Sequence, residues 1–247
     1  MILHGVNPIV EVLAARPDSV ERVWLAEGAR VHGLDRLFDL ARRAGVRVER
    51  VPRERIARLA GGAVHQGVLA EVAEVRYVDP EDLVAGAKER GEEPLLVALD
   101  QIQDPIHLGA IVRSAHALGG HGVIVPKDRA ASLTAAAVKA SAGATAHLPV
   151  ARATNLARTL EELKAAGVWT VGADMDGEPA DRVDLTGPLC LVIGNEGSGM
   201  RPLVRSTCDR IVAIPMARSS VGSLSASAAA AVLLYEVARQ RRARERA

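Results

Sequence analysis

Aromatic residues and cysteines are scarce in this chain of 247 residues. Its only aromatic residues are two tryptophans, two tyrosines and one phenylalanine, so the core must consist of alanine, valine, leucine and isoleucine. This composition argues against an RNA-binding surface made of stacked aromatic rings. The two cysteines, Cys190 and Cys208, provide neither a disulfide framework nor the spacing of a metal site, so no bound metal is expected.

The sequence also lacks a segment that could cross a membrane or direct secretion. Outside alanine-rich stretches, no run approaches the roughly 18 uninterrupted apolar residues that a membrane span requires. The first residues, MILHGVNPIVEVLAARP, have neither a basic start nor the long apolar stretch of a signal peptide. These absences predict a cytoplasmic protein that does not contact a membrane.

Net charge is low, at +1, but the arginines are unevenly distributed. Seven arginines lie between residues 42 and 58, against two glutamates. They are Arg42, Arg43, Arg47, Arg50, Arg53, Arg55 and Arg58. Residues 239–246 contain a second cluster. Such clusters bind RNA phosphates in some proteins and form solvated helix faces in others, and the sequence leaves both interpretations open.

The amino-terminal part, residues 1–75, alternates between helical and strand patterns, which predicts a small α/β sandwich. The segment NPIVEVLAA predicts a helix with Asn7 as its N-cap and Pro8 in its first turn. Residues 76–93 are charged and contain proline and glycine, so we expect a linker with one short helix there.

The second part, residues 94–247, is more regular. Strands are predicted at 94–100, 122–126, 168–173, 189–194 and 210–215. Helices lie between most of them, one with Thr154 as its expected N-cap, and a helix over 223–242 closes the chain. This alternation predicts a mostly parallel sheet covered by helices on both faces. Ligands of such sheets bind beyond the carboxyl ends of the strands.

Three unusual loops follow predicted strands. In DPIHLGAIVRSA, Asp104 is expected to cap a helix, and Arg113 lies off its apolar stripe beside small residues that leave room for a ligand. The loop GNEGSGM, 194–200, has three glycines whose backbone amides can face a ligand. In IPMARSSVGSLSAS, 214–227, serines precede a long helix and can cap it. Each loop alone also fits an ordinary turn, cap or surface arginine, but together they describe a pocket.

The chemistry of this pocket excludes several classes of site. The loop 194–200 is neither a dinucleotide-binding GxGxxG motif nor a phosphate-binding P-loop. A Ser-His-Asp order, an HExxH motif and a carboxylate cluster suited to a metal are all missing from the sequence. Backbone amides, small residues and apolar edges suit a neutral or zwitterionic cofactor better than a polyphosphate.

These motifs in this order resemble the SpoU (TrmH) family of the SPOUT superfamily. The resemblance rests on DPxxxGAIxRSA, GVIVPKDR, SAGA, LVIGNEGSGM and IPM followed by VGSLSAS, across residues 94–240. The segments HGVNPIVEVL and HQGVLAEV resemble the ribosomal-protein-like RNA-binding domain attached to many members. Both halves together most resemble the bacterial 23S rRNA guanosine 2′-O-methyltransferases.

The resemblance implies a fold, an activity and a set of site residues. It implies a trefoil knot in the second part, a homodimer, and methylation of an RNA ribose 2′-hydroxyl by S-adenosylmethionine. By matching position, the implied cofactor-binding residues are Gly194, Glu196, Gly197, Ile214, Met216, Val221, Ser223 and Leu224. The implied catalytic residues are Arg113, Glu196, Ser223, His107 and Ser225. Arg113 matches the family's arginine beside the target ribose, and we expect it to bind phosphate and orient the hydroxyl, because a guanidinium keeps its proton.

Two positions depart from the family pattern. His107 stands where the first motif has asparagine, and Ser225 replaces an asparagine of the third. His107 could replace asparagine as a polar donor, or act as a base, since imidazole titrates near neutral pH. Alternatively, both changes impair the site and leave an RNA-binding or ribosome-assembly protein. A tRNA 2′-O-methyltransferase is a further alternative.

Overall fold

The computed structural model describes residues 1–62, 64–217 and 223–246, and these form two α/β units. The first unit consists of β1 (Ile2–His4), α1 (Val6–Ala15), β2 (Val20–Ala26), α2 (Leu34–Arg43), β3 (Val48–Val51), α3 (Arg53–Ala60) and β4 (Val68–Val72). Its four-stranded sheet has the order β1-β4-β2-β3, with β2 and β3 parallel and the other pairs antiparallel. The predicted α/β sandwich is confirmed.

Helix α1 begins earlier than the sequence indicates. Its N-cap is Gly5, whose φ of 90° suits glycine, and Asn7 lies inside the helix, so the prediction of Asn7 as N-cap was wrong. The apolar side chains Ile9, Val12 and Leu13 are buried against the first sheet. Helix α2 adds Leu37 and Ala41 to the same core.

The second unit is built around a six-stranded parallel sheet. Its elements are α4 (Pro80–Glu89), β5 (Leu95–Leu99), α5 (Pro105–Ala117), β6 (Gly122–Pro126), α6 (Ala135–Ala140), β7 (Val150–Ala153), α7 (Leu156–Ala165), β8 (Trp169–Pro179), β9 (Leu189–Ile193), α8 (Pro202–Thr207), β10 (Arg210–Ala213) and α9 (Ala226–Arg244). The strand order is β10-β8-β9-β5-β6-β7. The parallel sheet is confirmed, while the trefoil knot stays a prediction.

Helices cover both faces of this sheet, as predicted. Side chains of β5 alternate between the two faces, since Leu95 and Val97 join a core layer with α5 and α9, and Leu96 joins the opposite layer with α4 and α7. Every residue of β5, β6 and β9 is buried. A fully buried parallel sheet has near-continuous apolar strands, which explains why these three were recognised in the sequence.

Several boundaries differ from the sequence prediction. Helix α7 is capped by Asn155, whose side chain accepts a hydrogen bond of 3.2 Å from the Arg158 N–H, so the prediction of Thr154 was wrong. Helix α4, in the segment predicted as a linker, buries Leu83 and Val84 in the second unit's core. Strands β1 and β7 and helix α8 were missed because each has only three to six residues.

The two units contact each other directly. Val138 on α6 joins the apolar core of the first unit. His147 Nε2 lies 3.2 Å from Glu11 Oε2 of α1, and Lys139 Nζ donates to the Val64 carbonyl at 3.0 Å. The first unit therefore sits against α6 and the turn that follows it.

Helix α9, with 19 residues, runs along the strands of the second sheet, from their carboxyl ends to their amino ends. Near its end, the Arg241 guanidinium donates to the carbonyls of Glu93, Pro94 and Gly187 at 2.8, 3.0 and 2.7 Å. These carbonyls lie before β5 and β9, at the amino edge, while the start of α9 lies at the carboxyl edge. Among the described residues, no helix is long and apolar enough to cross a membrane.

Candidate functional site

The three loops singled out in the sequence meet at the carboxyl edge of the six-stranded sheet. They follow β5, β9 and β10, as expected for a ligand site on a parallel sheet. Asp104 caps α5 as predicted, accepting a hydrogen bond of 2.8 Å from the Ile106 N–H. The prolyl ring of Pro105 fits the first turn because that position needs no N–H donor.

The loop after β9 is held in a tight, closed shape. Asn195 and Gly199 exchange two backbone hydrogen bonds of 3.0 and 2.9 Å. At Gly194, an added Cβ would lie 2.4 Å from the Gly199 carbonyl carbon, so only glycine fits. The Asn195 side chain also ties this loop to the one after β5, because its amide donates to the Gln101 carbonyl at 3.2 Å. Its Oδ1 accepts a hydrogen bond of 2.9 Å from the Gly197 N–H within the same loop.

His107 connects α5, the loop after β9 and the start of α9. Its Nδ1 lies 3.1 Å from Ser227 Oγ, and its Nε2 lies 3.2 Å from Glu196 Oε1. The same carboxylate oxygen accepts a hydrogen bond of 2.9 Å from the Ala226 N–H, a first-turn amide that has no acceptor within its own helix. A carboxylate at this position is also stabilised by the helix dipole. One imidazole and one carboxylate thus fasten the three loops together.

Ser225 is the N-cap of α9. Its Oγ accepts a hydrogen bond of 3.2 Å from the Ala228 N–H and lies 3.3 Å from Ser227 Oγ. The helix begins at Ala226, three residues later than the sequence indicated, and Ser223 lies exposed before it. The hydroxyl of Ser225 is therefore engaged in capping, next to the His107 contact.

A cleft of about 640 Å³, here called the main cleft, opens beside this junction. Among the predicted cofactor residues, those that line it are Gly194, Glu196, Gly197, Ile214, Met216, Ser223 and Leu224. Val221 lies outside the described residues. The volume falls within the range of about 300–1,000 Å³ typical of small-molecule sites. Glycine-rich backbone and the apolar side chains of Ile214 and Leu233 suit a zwitterionic ligand with a flat ring, and S-adenosylmethionine is one.

Strand β8 forms a wall of the main cleft that was not predicted from the sequence. The partner of Ile211 is Gly172, but the partner of Val212 is Glu178, so residues 173–177 bulge out of the ladder. Arg205 holds this bulge, donating to Asp174 at 3.2 Å and Asp176 at 2.7 Å, and these bonds raise the pKa of the Arg205 guanidinium. The tripeptide DMD at 174–176 was the available signal, because its two carboxylates follow a buried strand segment.

Arg113 is not part of this network. It is exposed on α5, and no hydrogen bond or ion pair joins it to the rest of the described chain. Gly109, one of the small residues one turn from Arg113, is buried against α6, where an added Cβ would lie 2.2 Å from the Ala137 carbonyl oxygen, so on that side it leaves no open space. The glycine serves close packing of two helices, and the arginine faces solvent.

An ion pair that was not predicted from the sequence lies beneath the three loops. Asp100, fully buried directly after β5, accepts hydrogen bonds from the Arg201 N–H at 2.7 Å, Nε at 2.8 Å and Nη2 at 2.7 Å. A charged residue at the end of an apolar strand was the signal. This pair ties the loop after β9 to the loop after β5.

Comparison with known proteins agrees with this geometry. The family model described as the SpoU rRNA Methylase family matches residues 94–235. A second model, described as RNA 2′-O ribose methyltransferase substrate binding, matches residues 2–78. Within the described ranges, no group of three or more histidine, cysteine, aspartate or glutamate side chains could hold a metal.

Individual relatives extend over nearly the whole chain. A Bacillus subtilis (strain 168) protein that bears the name of a TrmH family tRNA/rRNA methyltransferase, YacO, is 44% identical over 238 residues, covering 96% of this chain and 94% of that protein. A Mycobacterium sp. (strain KMS) protein that bears the name of an uncharacterized tRNA/rRNA methyltransferase is 47% identical over 243 residues, covering 98% of this chain and 77% of that protein. The crystal structure of the SpoU methyltransferase AviRb from Streptomyces viridochromogenes with AdoMet has a TM-score of 0.79 and 29% identity, covering 98% of this chain and 91% of that chain.

Proposed function

Because the chain belongs to the SpoU family of S-adenosylmethionine-dependent RNA methyltransferases, we propose that it methylates the ribose 2′-hydroxyl of a guanosine in 23S rRNA. The observation that carries the proposal is the junction of His107, Glu196 and the start of α9 beside the main cleft. It fastens the three motif loops into one site. The match of residues 2–78 to a substrate-binding model supports ribose as the methylated group.

In this proposal, one set of residues binds S-adenosylmethionine and another orients the ribose hydroxyl. Residues that line the main cleft hold S-adenosylmethionine, which when bound supplies a methyl group to the ribose hydroxyl. Transfer requires alignment of the hydroxyl and removal of its proton. Because a guanidinium does not act as a base in proteins, Arg113 in this proposal binds the adjacent phosphate and orients the hydroxyl. His107 acts as a positioning residue through Glu196 and Ser227.

Nucleoside analysis of a gene deletion tests the reaction and its substrate. Mass spectrometry of 23S rRNA from the deletion strain is expected to show the loss of one 2′-O-methylguanosine, restored by the wild-type gene. A loss in tRNA alone would favour the tRNA alternative. If neither RNA changes and calorimetry detects no binding of S-adenosylmethionine, the alternative of a catalytically impaired RNA-binding protein replaces this proposal.

We also propose that two copies pair through α9. This helix buries Leu233, Leu234 and Val237 within its own subunit but leaves Val232 and Tyr235 exposed at 43% and 54%. Apolar side chains exposed on a helix next to a site mark a surface for a partner. Light scattering at micromolar concentration is expected to give twice the 26.0 kDa of one chain, and a monomer would contradict the proposal.

We propose that residues 1–75 select the RNA substrate and that residues 94–247 carry out methyl transfer. Residues 76–93 connect the two parts. All seven arginines between residues 42 and 58 are exposed, and five have no ion pair within the described ranges. Replacing Arg47, Arg50 and Arg53 with glutamine is expected to weaken rRNA binding and reduce its salt dependence, while leaving cofactor affinity unchanged. Unchanged rRNA affinity and salt dependence would contradict this division.

A further inference from the structure

The carboxyl edge of the six-stranded sheet carries a second opening, here called the side cleft. It has a volume of about 630 Å³ and lies at the ends of β6 and β7. Its lining includes Arg129, Leu156, Arg201, Leu203 and Val204. None of these residues lines the main cleft. On the basis of the proposed function, we infer that the side cleft binds one nucleotide of the RNA strand next to the methylated ribose.

The strand order places the side cleft where a neighbouring nucleotide would reach. The main cleft lies at the ends of β8, β9 and β10, and the side cleft at the ends of β6 and β7. Strand β5 lies between them, and its following loop leads into α5 and His107. An RNA strand that crosses the loop after β5 therefore has the main cleft on one side and the side cleft on the other.

Arg129 supplies a cation for the phosphate. It is exposed in the loop after β6, and no ion pair joins it to another described residue. Its φ of 55° lies in the left-handed region, which is costly for residues other than glycine and is concentrated at functional sites. Asp128 lines the same cleft, but exposed Lys127 beside it keeps this loop positive overall.

Arg201 and the apolar walls suit the base. Asp100 fixes the Nε and Nη2 atoms of Arg201, so the guanidinium plane is held rigid while 44% of the side chain stays exposed. Unpaired RNA bases stack on arginine planes as well as on aromatic rings. Leu203, exposed at 66%, stands with Leu156 and Val204 around the same space. In a chain with five aromatic residues, this arrangement replaces an aromatic platform.

Two substitutions separate the phosphate contact from the base contact. Arg129→Gln is expected to weaken binding of 23S rRNA transcribed in vitro and to lower the slope of log affinity against log salt by about one. Leu203→Ala is expected to weaken binding roughly tenfold with the slope unchanged, since it removes apolar contact and no charge. Arg90→Gln is the control, because Arg90 is an exposed arginine that pairs with Glu92 at the opposite edge of the sheet.

Filter binding across a salt series, with calorimetry of S-adenosylmethionine, decides the question without requiring turnover. Both variants should keep the cofactor affinity of the wild type. The inference is overturned if Arg129→Gln and Leu203→Ala bind rRNA as the control does, or if either loses cofactor affinity. If the wild type binds neither 23S rRNA nor tRNA transcripts, the proposed function fails together with this inference. If the wild type binds RNA but the two variants bind it as the control does, only this inference fails.

Discussion

His107 occupies a position where two hydrogen-bonding groups are needed, one toward Ser227 and one toward Glu196. An asparagine amide also offers a donor and an acceptor, which explains how the two residue types can share this place. A neutral imidazole donates from one nitrogen and accepts at the other, so both its nitrogens are engaged here. A ring used in this way holds the loops together and has no free nitrogen for abstracting a proton from substrate.

We therefore predict that His107→Asn retains methyl transfer within about tenfold of the wild type and leaves the pH–rate profile between pH 6 and 7 unchanged. His107→Ala, which lacks both groups, should lose more activity and weaken cofactor binding through the loosened loop. Single-turnover rates across this pH range provide the measurement. Disappearance of an acidic limb in His107→Asn would instead identify the imidazole as the base.

In the proposed mechanism Arg113 contacts the RNA, and no hydrogen bond or ion pair within the described chain holds it. Because Arg113 is proposed to orient the ribose hydroxyl, Arg113→Ala should reduce methyl transfer by at least about a hundredfold. Cofactor affinity should stay unchanged, because Arg113 lies outside the main cleft. Arg158→Ala, at an exposed helix arginine on α7, is the matched control and should keep full activity. Calorimetry with S-adenosylmethionine and a methyl-transfer assay measure the two effects. Full activity in Arg113→Ala would remove it from the site.

Individual residues of the candidate site differed in how visible they were in the sequence. The loop residues at 194–200 and 214–227 stood out because glycines and serines are unusual directly after apolar strands. Asp100 and Arg201 did not, since their pairing joins positions about a hundred residues apart. Contacts of this kind follow from the strand order β9-β5, which a single sequence does not reveal.

At the scale of elements, the packing of α5 on α6 depends on one glycine. An alanine Cβ at Gly109 would lie 2.2 Å from the Ala137 carbonyl oxygen and 2.7 Å from Ala140 Cβ. Gly86 in α4 has open space around its Cβ position and is likewise inside a helix. The same substitution should therefore have opposite effects at these two positions.

We predict that Gly109→Ala lowers the free energy of unfolding by about 1–3 kcal/mol, because the helices must move apart. Gly86→Ala should raise it by roughly 0.5–1 kcal/mol, because alanine favours the helix. Urea unfolding of both variants provides the measurement. Equal effects of the same sign would show that the α5–α6 contact adjusts without strain.

The elements that the sequence predicted well are those whose pattern is local and long. Strands β5, β6 and β9 are continuous apolar runs, and α9 has 19 residues. Strand β7 has four residues and pairs at the edge of the sheet, so its partners, and not its own pattern, determine it. The bulge in β8 is likewise set by pairing with β10. Short and irregular elements depend on tertiary contacts that no local pattern contains.

At the scale of the whole molecule, His121 links stability to pH. It is buried, with Nδ1 accepting from the Leu95 N–H at 3.0 Å and Nε2 lying 2.7 Å from Glu92. Burial lowers the pKa of His121 below its usual 6.5, although the hydrogen bond to Glu92 acts in the opposite direction. The unfolded chain binds a proton at this residue near pH 6.5 while the folded chain does not, so stability falls as the pH drops from 6.5 toward the folded pKa.

We predict that the wild type loses more free energy of unfolding between pH 7 and pH 5.5 than His121→Asn does. The variant is less stable at pH 7, but it lacks this contribution to the pH dependence. His32→Asn, at an exposed histidine, should keep the wild-type dependence. Chemical unfolding at the two pH values measures the difference. Parallel losses in all three proteins would exclude His121 as a source of the pH dependence.

Helix α9 joins the two ends of the second unit into one mechanical part. Glu196 binds the Ala226 N–H in its first turn, and Arg241 near its end binds three backbone carbonyls. At 1.5 Å per residue, Ala226 and Arg241 are about 22 Å apart along the helix axis. A continuous helix that is bonded near both ends can transmit a force applied at one end to the other. Tension applied behind residue 244, through a tether to a surface, would therefore reach the loops that line the main cleft, whereas tension applied before residue 2 would act on the first unit.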